Sequence, residues 1–331
     1  MVTISVEILY TGFMNLVGKL YESLGLHSFL FYLHSNYIYT LVILAVLALA
    51  VGIAVVKLRG KKKSTTQIQE PVVDFAEAEG TIAQPRILAA AHQHIGARED
   101  QQDSYGVSEP NAYPEKGVIA VVADGMGGLA NGRAVSSALV RSLLEGYANA
   151  SPRQNGADLL LEQAVRANAG VNQMLRGQER SGSTLVSCVI RDGKLHFLTV
   201  GDSRIYLYRG GALVQLNREH IYQEELAVQS VNQQCALQQV RGDRQAHALT
   251  SYFGIGRMPA IDRNDEGLKL LDRDKILLAS DGVFGTLTQE QMEAALAQDV
   301  KEAAKTMGEQ IRAANRAHQD NNTAVVLEYR V

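Results

Sequence analysis

Leu185-Val-Ser-Cys-Val-Ile190 and Leu195-His-Phe-Leu-Thr-Val200 flank Asp192-Gly193, and Arg204-Ile-Tyr-Leu-Tyr208 and Leu213-Val-Gln-Leu216 flank Gly210-Gly211. Asp-Gly and Gly-Gly pairs supply the positive φ angles of two-residue hairpin turns, so these runs read as two consecutive antiparallel hairpins. Working outward, residues 87–91 and 118–123 read as strands, and residues 132–150 and 157–176 carry apolar side chains at helical spacing. Residues 219–266 are Gln-rich and irregular. A strand at 275–279, helices near 289–297 and 301–317, and a last strand at 323–329 follow. Strands in runs and helices in pairs, without strict alternation, indicate an α+β fold: antiparallel sheets with helical layers packed on them. No Walker-type or Gly-x-Gly-x-x-Gly sequence stands where a doubly wound nucleotide fold needs it.

The N-terminal part of the 331-residue chain has a different composition. Residues 23–56 contain no Asp, Glu, Lys or Arg. A nearly unbroken apolar run of about 20 residues spans a bilayer as a helix, which predicts a retained transmembrane helix over 35–57. Lys57, Arg59, Lys61, Lys62 and Lys63 follow it, against Lys19, Glu7 and Glu22 on the other side. By the positive-inside rule everything after residue 57 is cytoplasmic, giving a single-pass protein of the cell (inner) membrane. Residues 1–34 carry apolar patches suited to an interfacial segment, and 58–85 reads as a basic juxtamembrane region and linker. The formal net charge of −3 gives no basic excess, which excludes bulk electrostatic binding of nucleic acid. Two distant cysteines, Cys188 and Cys235, form neither a disulfide framework nor a Cys-x-x-Cys pair and fit a reducing compartment.

Four aspartates share one context, a carboxylate at a strand border with small or polar neighbours. Asp103 closes Arg98-Glu-Asp-Gln-Gln-Asp103, and Asp124 opens Asp124-Gly-Met-Gly-Gly128 after an apolar strand. Asp281 lies in Ser280-Asp281-Gly282, and Asp320-Asn321 precedes the last strand. If these ends converge, carboxylates about 4 Å apart repel by on the order of 4 kcal/mol at an effective dielectric of 20, and need cations or shared protons. Oxygen donors without His or Cys favour Mg²⁺ or Mn²⁺. Two such ions activate a water toward phosphorus, and Arg98 is a natural bidentate clamp for the phosphate.

Taken together, residues 86–331 resemble the metal-dependent protein serine/threonine phosphatases of the PP2C family. The matches run in family order: Arg98 to Asp103, Asp124 to Gly128, Ser181-Gly182-Ser183-Thr184, Gly201-Asp202-Ser203-Arg204, Ser280-Asp281-Gly282, and Asp320-Asn321. The resemblance implies a four-layer α-β-β-α sandwich of two antiparallel sheets with a binuclear Mn²⁺/Mg²⁺ site between them. It further implies that Asp124 bridges both metals and that the Gly125 carbonyl completes the first site. Asp281 and Asp320 would hold the second metal, with Asp103 helping directly or through water. Asp202, with Asp281, is the counterpart of a weaker third-metal site in some bacterial members. Gln102, Gly182, Ser183, Thr184 and Asn321 would pack behind these ligands. The implied partners are phosphorylated cytoplasmic proteins, a Ser/Thr kinase and its substrates among them.

Three positions depart from the family pattern. Gln102 stands where many members carry glutamate, and Met126 replaces the histidine of eukaryotic members, as is common in bacterial ones. Asn217-Arg218-Glu219-His220 stands where Thr-x-Asp-His is usual, at the entrance of a flap expected over about 217–266. Two alternatives stay open: a membrane-tethered pseudophosphatase that binds phosphoproteins without hydrolysing them, and an anti-sigma-type regulatory phosphatase of the same superfamily.

Overall fold

A computed structural model describes residues 73–75, 85–127, 131–176 and 181–331. The expected interfacial segment 1–34, membrane helix 35–57, most of the linker 58–85, and Gly128 lie outside the described residues. Among those described, no helix is long and apolar enough to cross a membrane.

In chain order the elements are β1 (Val73–Phe75), β2 (Arg86–His94), β3 (Asp103–Val107), α1 (Tyr113–Lys116), β4 (Val118–Met126), α2 (Asn131–Asn149) and α3 (Gly156–Met174). Next come β5 (Gly182–Ser183), β6 (Leu185–Arg191), β7 (Lys194–Val200), β8 (Arg204–Arg209), β9 (Ala212–Gln215), α4 (Tyr222–Val231) and α5 (Leu237–Gly242). The chain ends with β10 (Asp262–Arg263), β11 (Leu268–Lys269), β12 (Lys275–Ala279), α6 (Asp281–Phe284), α7 (Gln289–Leu296), α8 (Val300–Ala314) and β13 (Asn322–Arg330).

Two antiparallel sheets result. One has the order β1-β2-β13-β12-β8-β9; the other has β10-β7-β6-β4-β3, with β11 also on β7 and β5 on β4. Both expected hairpins form. Asp192 and Gly193 have φ of 51° and 68°, the pair of positive angles that matches the twist of β6 and β7.

Alternation along β4 shows why the layers stack. Val118, Ala120 and Val122 face the other sheet and pack with Val186, Cys188, Ile276, Leu278, Val325 and Leu327. Ile119, Val121 and Ala123 face outward and pack with Leu139 and Leu143 of α2 and Leu159 and Leu160 of α3. The opposite sheet does the same, its outward Leu277, Ala279, Ala324 and Val326 packing against Met292 and Leu296 of α7 and Ala303 and Met307 of α8. A strand apolar on both faces is stable only between two covering layers, so the α-β-β-α order follows from the strand compositions.

The helix ends carry local stop and start signals. Asn155 caps α3, its side-chain oxygen accepting from the Ala157 and Asp158 amides. Thr288 and Gln291 form a reciprocal capping box at α7. α8 ends at Ala314, three residues short of the expected end, because Asn315 turns left-handed at φ 43° and closes the last turn.

Four other elements differ from expectation. β3, Asp-Ser-Tyr-Gly-Val, has little apolar alternation; it is a strand because it pairs with β4 from Asp103↔Asp124 to Val107↔Ala120. α4 and α5 lie in the region expected to be irregular; Leu226 is the buried residue of α4, too little for a helical period. Within the expected linker, Val73–Phe75 pairs antiparallel with Ala89–Ala91 of β2.

Candidate active site

The inward alternation of six strands runs, at one end of the sandwich, from apolar to polar side chains. β4 continues from Val122 to Asp124, β12 leads from Leu278 to Ser280, and β13 runs back from Val325 to Thr323. β6 and β8 are preceded by Thr184 and Ser203 at the same parity, and on β3 the inward Tyr105 leads back to Asp103. Because register pairs these ends, the polar residues form one floor.

Asp103 and Asp124 are directly opposite on β3 and β4. Asp103 is buried, with one carboxylate oxygen accepting from Ser280 Oγ at 2.8 Å and Thr323 Oγ1 at 2.7 Å. Its other oxygen, Oδ1, is buried without a partner, as is Asp281 Oδ1. The Asp124 backbone is pinned: its amide donates to Thr184 Oγ1 at 3.2 Å, and its carbonyl accepts from Ser183 Oγ and the Thr184 amide, each at 2.9 Å. Thr184 in turn bonds Ser203 Oγ at 2.7 Å. Gly125 must be glycine, since a Cβ there would lie 2.3 Å from the Gly132 carbonyl oxygen.

Loops complete the ring. Asn321 ties down the Arg98–Asp103 loop: its Nδ2 donates to the Ile95 and Asp100 carbonyls, and its Oδ1 accepts from the Gln102 amide at 2.7 Å. Arg98 reaches across to Asp320, Nη2 to Oδ2, at 2.6 Å. Gln102 Nε2 donates to the Gly127 carbonyl. The resulting cavity of about 610 Å³ is lined by Arg98, Gln102, Asp124, Gly125, Thr184, Asp202, Asp281, Asp320 and Asn321, together with Met126 and Leu249. Of the expected site residues, Asp103, Gly182 and Ser183 do not line it; Asp103 lies beneath, and the other two form β5 against the end of β4.

Crowding shows in the acidities. Burial, then the charges of Asp281 and Asp320, pushes Asp103 up to about 7 against its two hydroxyl donors. Burial followed by the charge of Asp281 raises Asp202 to about 7 as well. Asp124 is raised well above the usual carboxylate range by burial and then by Asp103 and Asp281, and Asp281 is raised by burial and Asp320.

Among the described residues, no three acidic, histidine or cysteine side chains already close on one point as a finished cage. The carboxylates are instead spread along the cavity, with Asp124 and Asp281 within hydrogen-bonding reach of each other. Unpartnered buried oxygens, suppressed ionisation and an all-oxygen donor set suit hard divalent cations, which take the place of shared protons.

The unusual Asn217–His220 sequence has a definite role in the structure. Asn217 accepts from the Ile205 amide at 3.0 Å and donates to the Ser203 carbonyl at 3.1 Å. His220 bonds Gly201 twice, amide to carbonyl at 2.9 Å and Nδ1 from the Gly201 amide at 3.0 Å. Glu219 pairs with Arg204, whose guanidinium lies 3.8 Å over the Phe284 ring. This stretch therefore fastens the loop that carries Asp202. Sequence reasoning assigned no role to Ser203, Ser280 or Thr323; counting strand parity back from the apolar core is the signal that finds them.

Residues 91–319 match the family described as Protein phosphatase 2C. The serine/threonine protein phosphatase PstP of Mycobacterium tuberculosis is 28% identical over 238 residues, 70% of this chain and 44% of that protein; the chain thus spans under half the length of this relative. PppA of Pseudomonas aeruginosa, described as a key regulatory component of T6SS, superposes with a TM-score of 0.61 at 27% identity, over 74% of this chain and all of the other. The catalytic domain of PstP in complex with two manganese ions superposes with a TM-score of 0.58 at 22% identity, over 75% of this chain and all of the other. With the family's extent matched over more than half the sequence and the sandwich in place, the chain belongs to the Protein phosphatase 2C family.

Proposed function

We propose that this chain is a metal-dependent phosphatase that removes phosphate from serine or threonine of cytoplasmic proteins. One observation carries the reading: Asp124, Asp202, Asp281, Asp320 and Arg98 line one cavity above the buried Asp103, with ionisation of the buried carboxylates suppressed. Asp124 would bridge two cations with help from the Gly125 carbonyl, and Asp281 and Asp320 would hold the second, supported by Asp103. Asp202 and Asp281 would hold a weaker third. Bound there, Mn²⁺ or Mg²⁺ lowers the pKa of a water and neutralises phosphate charge. Arg98 is a half-exposed guanidinium at the cavity mouth, suited to grip two phosphate oxygens. Met126 carries no proton to donate, so the leaving alkoxide would take its proton from water or another donor.

Thr323 and Ser280 orient Asp103 rather than touching substrate. Thr323→Val keeps the shape and removes one donor. The variant should bind Mn²⁺ about tenfold more weakly by calorimetry, with kcat at saturating Mn²⁺ little changed. Equal affinity would mean that Asp103 needs no such support.

The N-terminal run supports a single membrane anchor at 35–57, with the phosphatase domain on the cytoplasmic side of the inner membrane and membrane-proximal phosphoproteins, such as a Ser/Thr kinase and its substrates, as clients. The binding-only alternative rests on Gln102 and the Asn217–His220 departure, and the latter serves to anchor the Asp202 loop. Phosphate release from a phosphothreonine peptide by the full chain tests the reading. Turnover that appears with millimolar Mn²⁺ and stops with chelator is expected; tight peptide binding without turnover would instead establish the pseudophosphatase.

A further inference from the structure

Beside the catalytic cavity lies a second, smaller groove of about 180 Å³, and Ala97 lines both. Its walls are His94 and Gly96 on one side and Arg312, Arg316 and Gln319 on the other. The partition is thin: the Ala97 amide donates to the Gln319 carbonyl at 2.8 Å, and a Cβ on Gly96 would lie 2.3 Å from the Asp320 carbonyl oxygen. The groove therefore sits one backbone away from Arg98 and Asp320.

Its charge is of one sign. Between Glu309 and Asp320 the chain carries Arg312, Arg316 and His318 and no acidic residue, and neither Glu309 nor Asp320 lines the groove. Arg316 is engaged, donating to the Gly285 and Thr286 carbonyls. His94 Nδ1 accepts from the Gly96 amide at 2.9 Å, which leaves its other ring nitrogen as a donor. Arg312 is exposed on the last turn of α8; its carbonyl accepts from the Asn315 amide, but its guanidinium has no hydrogen-bond or ion-pair partner among the described residues. The α8 carbonyl end opposes an anion with about half a unit of charge, less than the full charge of Arg312 alone.

We propose that this groove is a docking subsite for an anionic side chain of the phosphoprotein substrate, a carboxylate or a second phosphate one to four residues from the hydrolysed phosphoresidue. The proposal rests on the phosphatase reading above. An extended peptide advances about 3.3 Å per residue, so a chain with its phosphate on Arg98 carries its near neighbours past Ala97. Arg312 is the specificity-determining group, and it takes no part in hydrolysis.

The test compares three phosphothreonine peptides with the full chain at low and at physiological salt: neutral flanks, flanking aspartates, and a flanking phosphoserine. Wild type should prefer the aspartate peptide about threefold to fivefold in kcat/KM, the doubly phosphorylated one more, with both preferences shrinking as salt rises. Arg312→Glu should abolish or reverse the preference and leave the neutral peptide unchanged. Equal turnover of all three peptides by wild type, or a preference that survives in the variant, would overturn the proposal. So would a variant that loses binding to vesicles containing anionic lipid while keeping the peptide preference, since the groove would then serve the membrane. If no peptide is turned over, the phosphatase reading fails by itself. Fluorescence anisotropy with the same peptides still decides the subsite, an acidic preference lost in Arg312→Glu supporting it and equal binding sinking it.

Discussion

Asp124→Asn should lower turnover of a phosphothreonine peptide by about 10³-fold or more and, in the same protein freed of metal, raise the melting temperature. Asp124 faces Asp103 across the β3–β4 pair, and the charges of Asp103 and Asp281 add to burial in opposing its ionisation. Without metal the folded protein must hold this carboxylate protonated, outside its ordinary range, at a cost in stability; an amide is neutral without that cost and keeps the shape. Relief of even about 1 kcal/mol shifts a domain of this size by about 2 to 4 °C. Activity and stability should thus move in opposite directions, as expected for a residue kept for chemistry at the expense of stability. Peptide assays and thermal melts in chelator read the two effects. Activity within tenfold of wild type would remove Asp124 from the chemistry, and a lower melting temperature would mean the carboxylate is structural.

The second large effect is a dependence of stability on pH that metal reverses. Burial raises Asp103 and Asp202 to about 7, whereas in the unfolded chain an aspartate titrates near 4. Between those values the folded state holds more protons than the unfolded one, so the slope of unfolding free energy with pH is negative. Metal-free protein should therefore lose the site's contribution to stability as pH rises from about 4 through about 7, with the raised Asp124 and Asp281 adding to that loss. Divalent cations need the ionised carboxylates, so Mn²⁺ should raise the melting temperature by about 5 to 10 °C at pH 8 and by little at pH 5. A metal-induced shift equal at the two pH values would contradict the carboxylate cluster as the cation site.

The site was legible in the sequence where chemistry needs a particular residue at a particular turn. Asp124-Gly125, Asp281-Gly282 and Asp320-Asn321 announce carboxylates beside residues that allow close backbone approach. In the structure, Gly125 abuts Gly132, and a Cβ on Gly282 would meet the Asn321 carbonyl at 2.0 Å. The supporting hydroxyls were not legible in that way. Ser280 and Thr323 are common residues in strands, and their importance comes from pointing inward at Asp103, nearly two hundred residues away or more. The basic groove was invisible for the same reason: His94 and Arg312 are unremarkable until α8 packs along β2.

What the sequence determined by itself is the set of structures whose cause is local. The positive-φ pairs Asp192-Gly193 and Gly210-Gly211 turn the two hairpins, and amphipathic periods make α2, α3, α7 and α8, with local caps on α3, α7 and α8. Double-faced apolar strands require covering layers on both sides. Tertiary structure alone decided β3 and α4, which lack enough apolar pattern to declare themselves. Tertiary structure also decided the opposition of Asp103 to Asp124, because strand register is a property of two segments at once. A single chain read in order shows which groups carry charge, and only the pairing of distant strands fixes which of those charges must share one small volume.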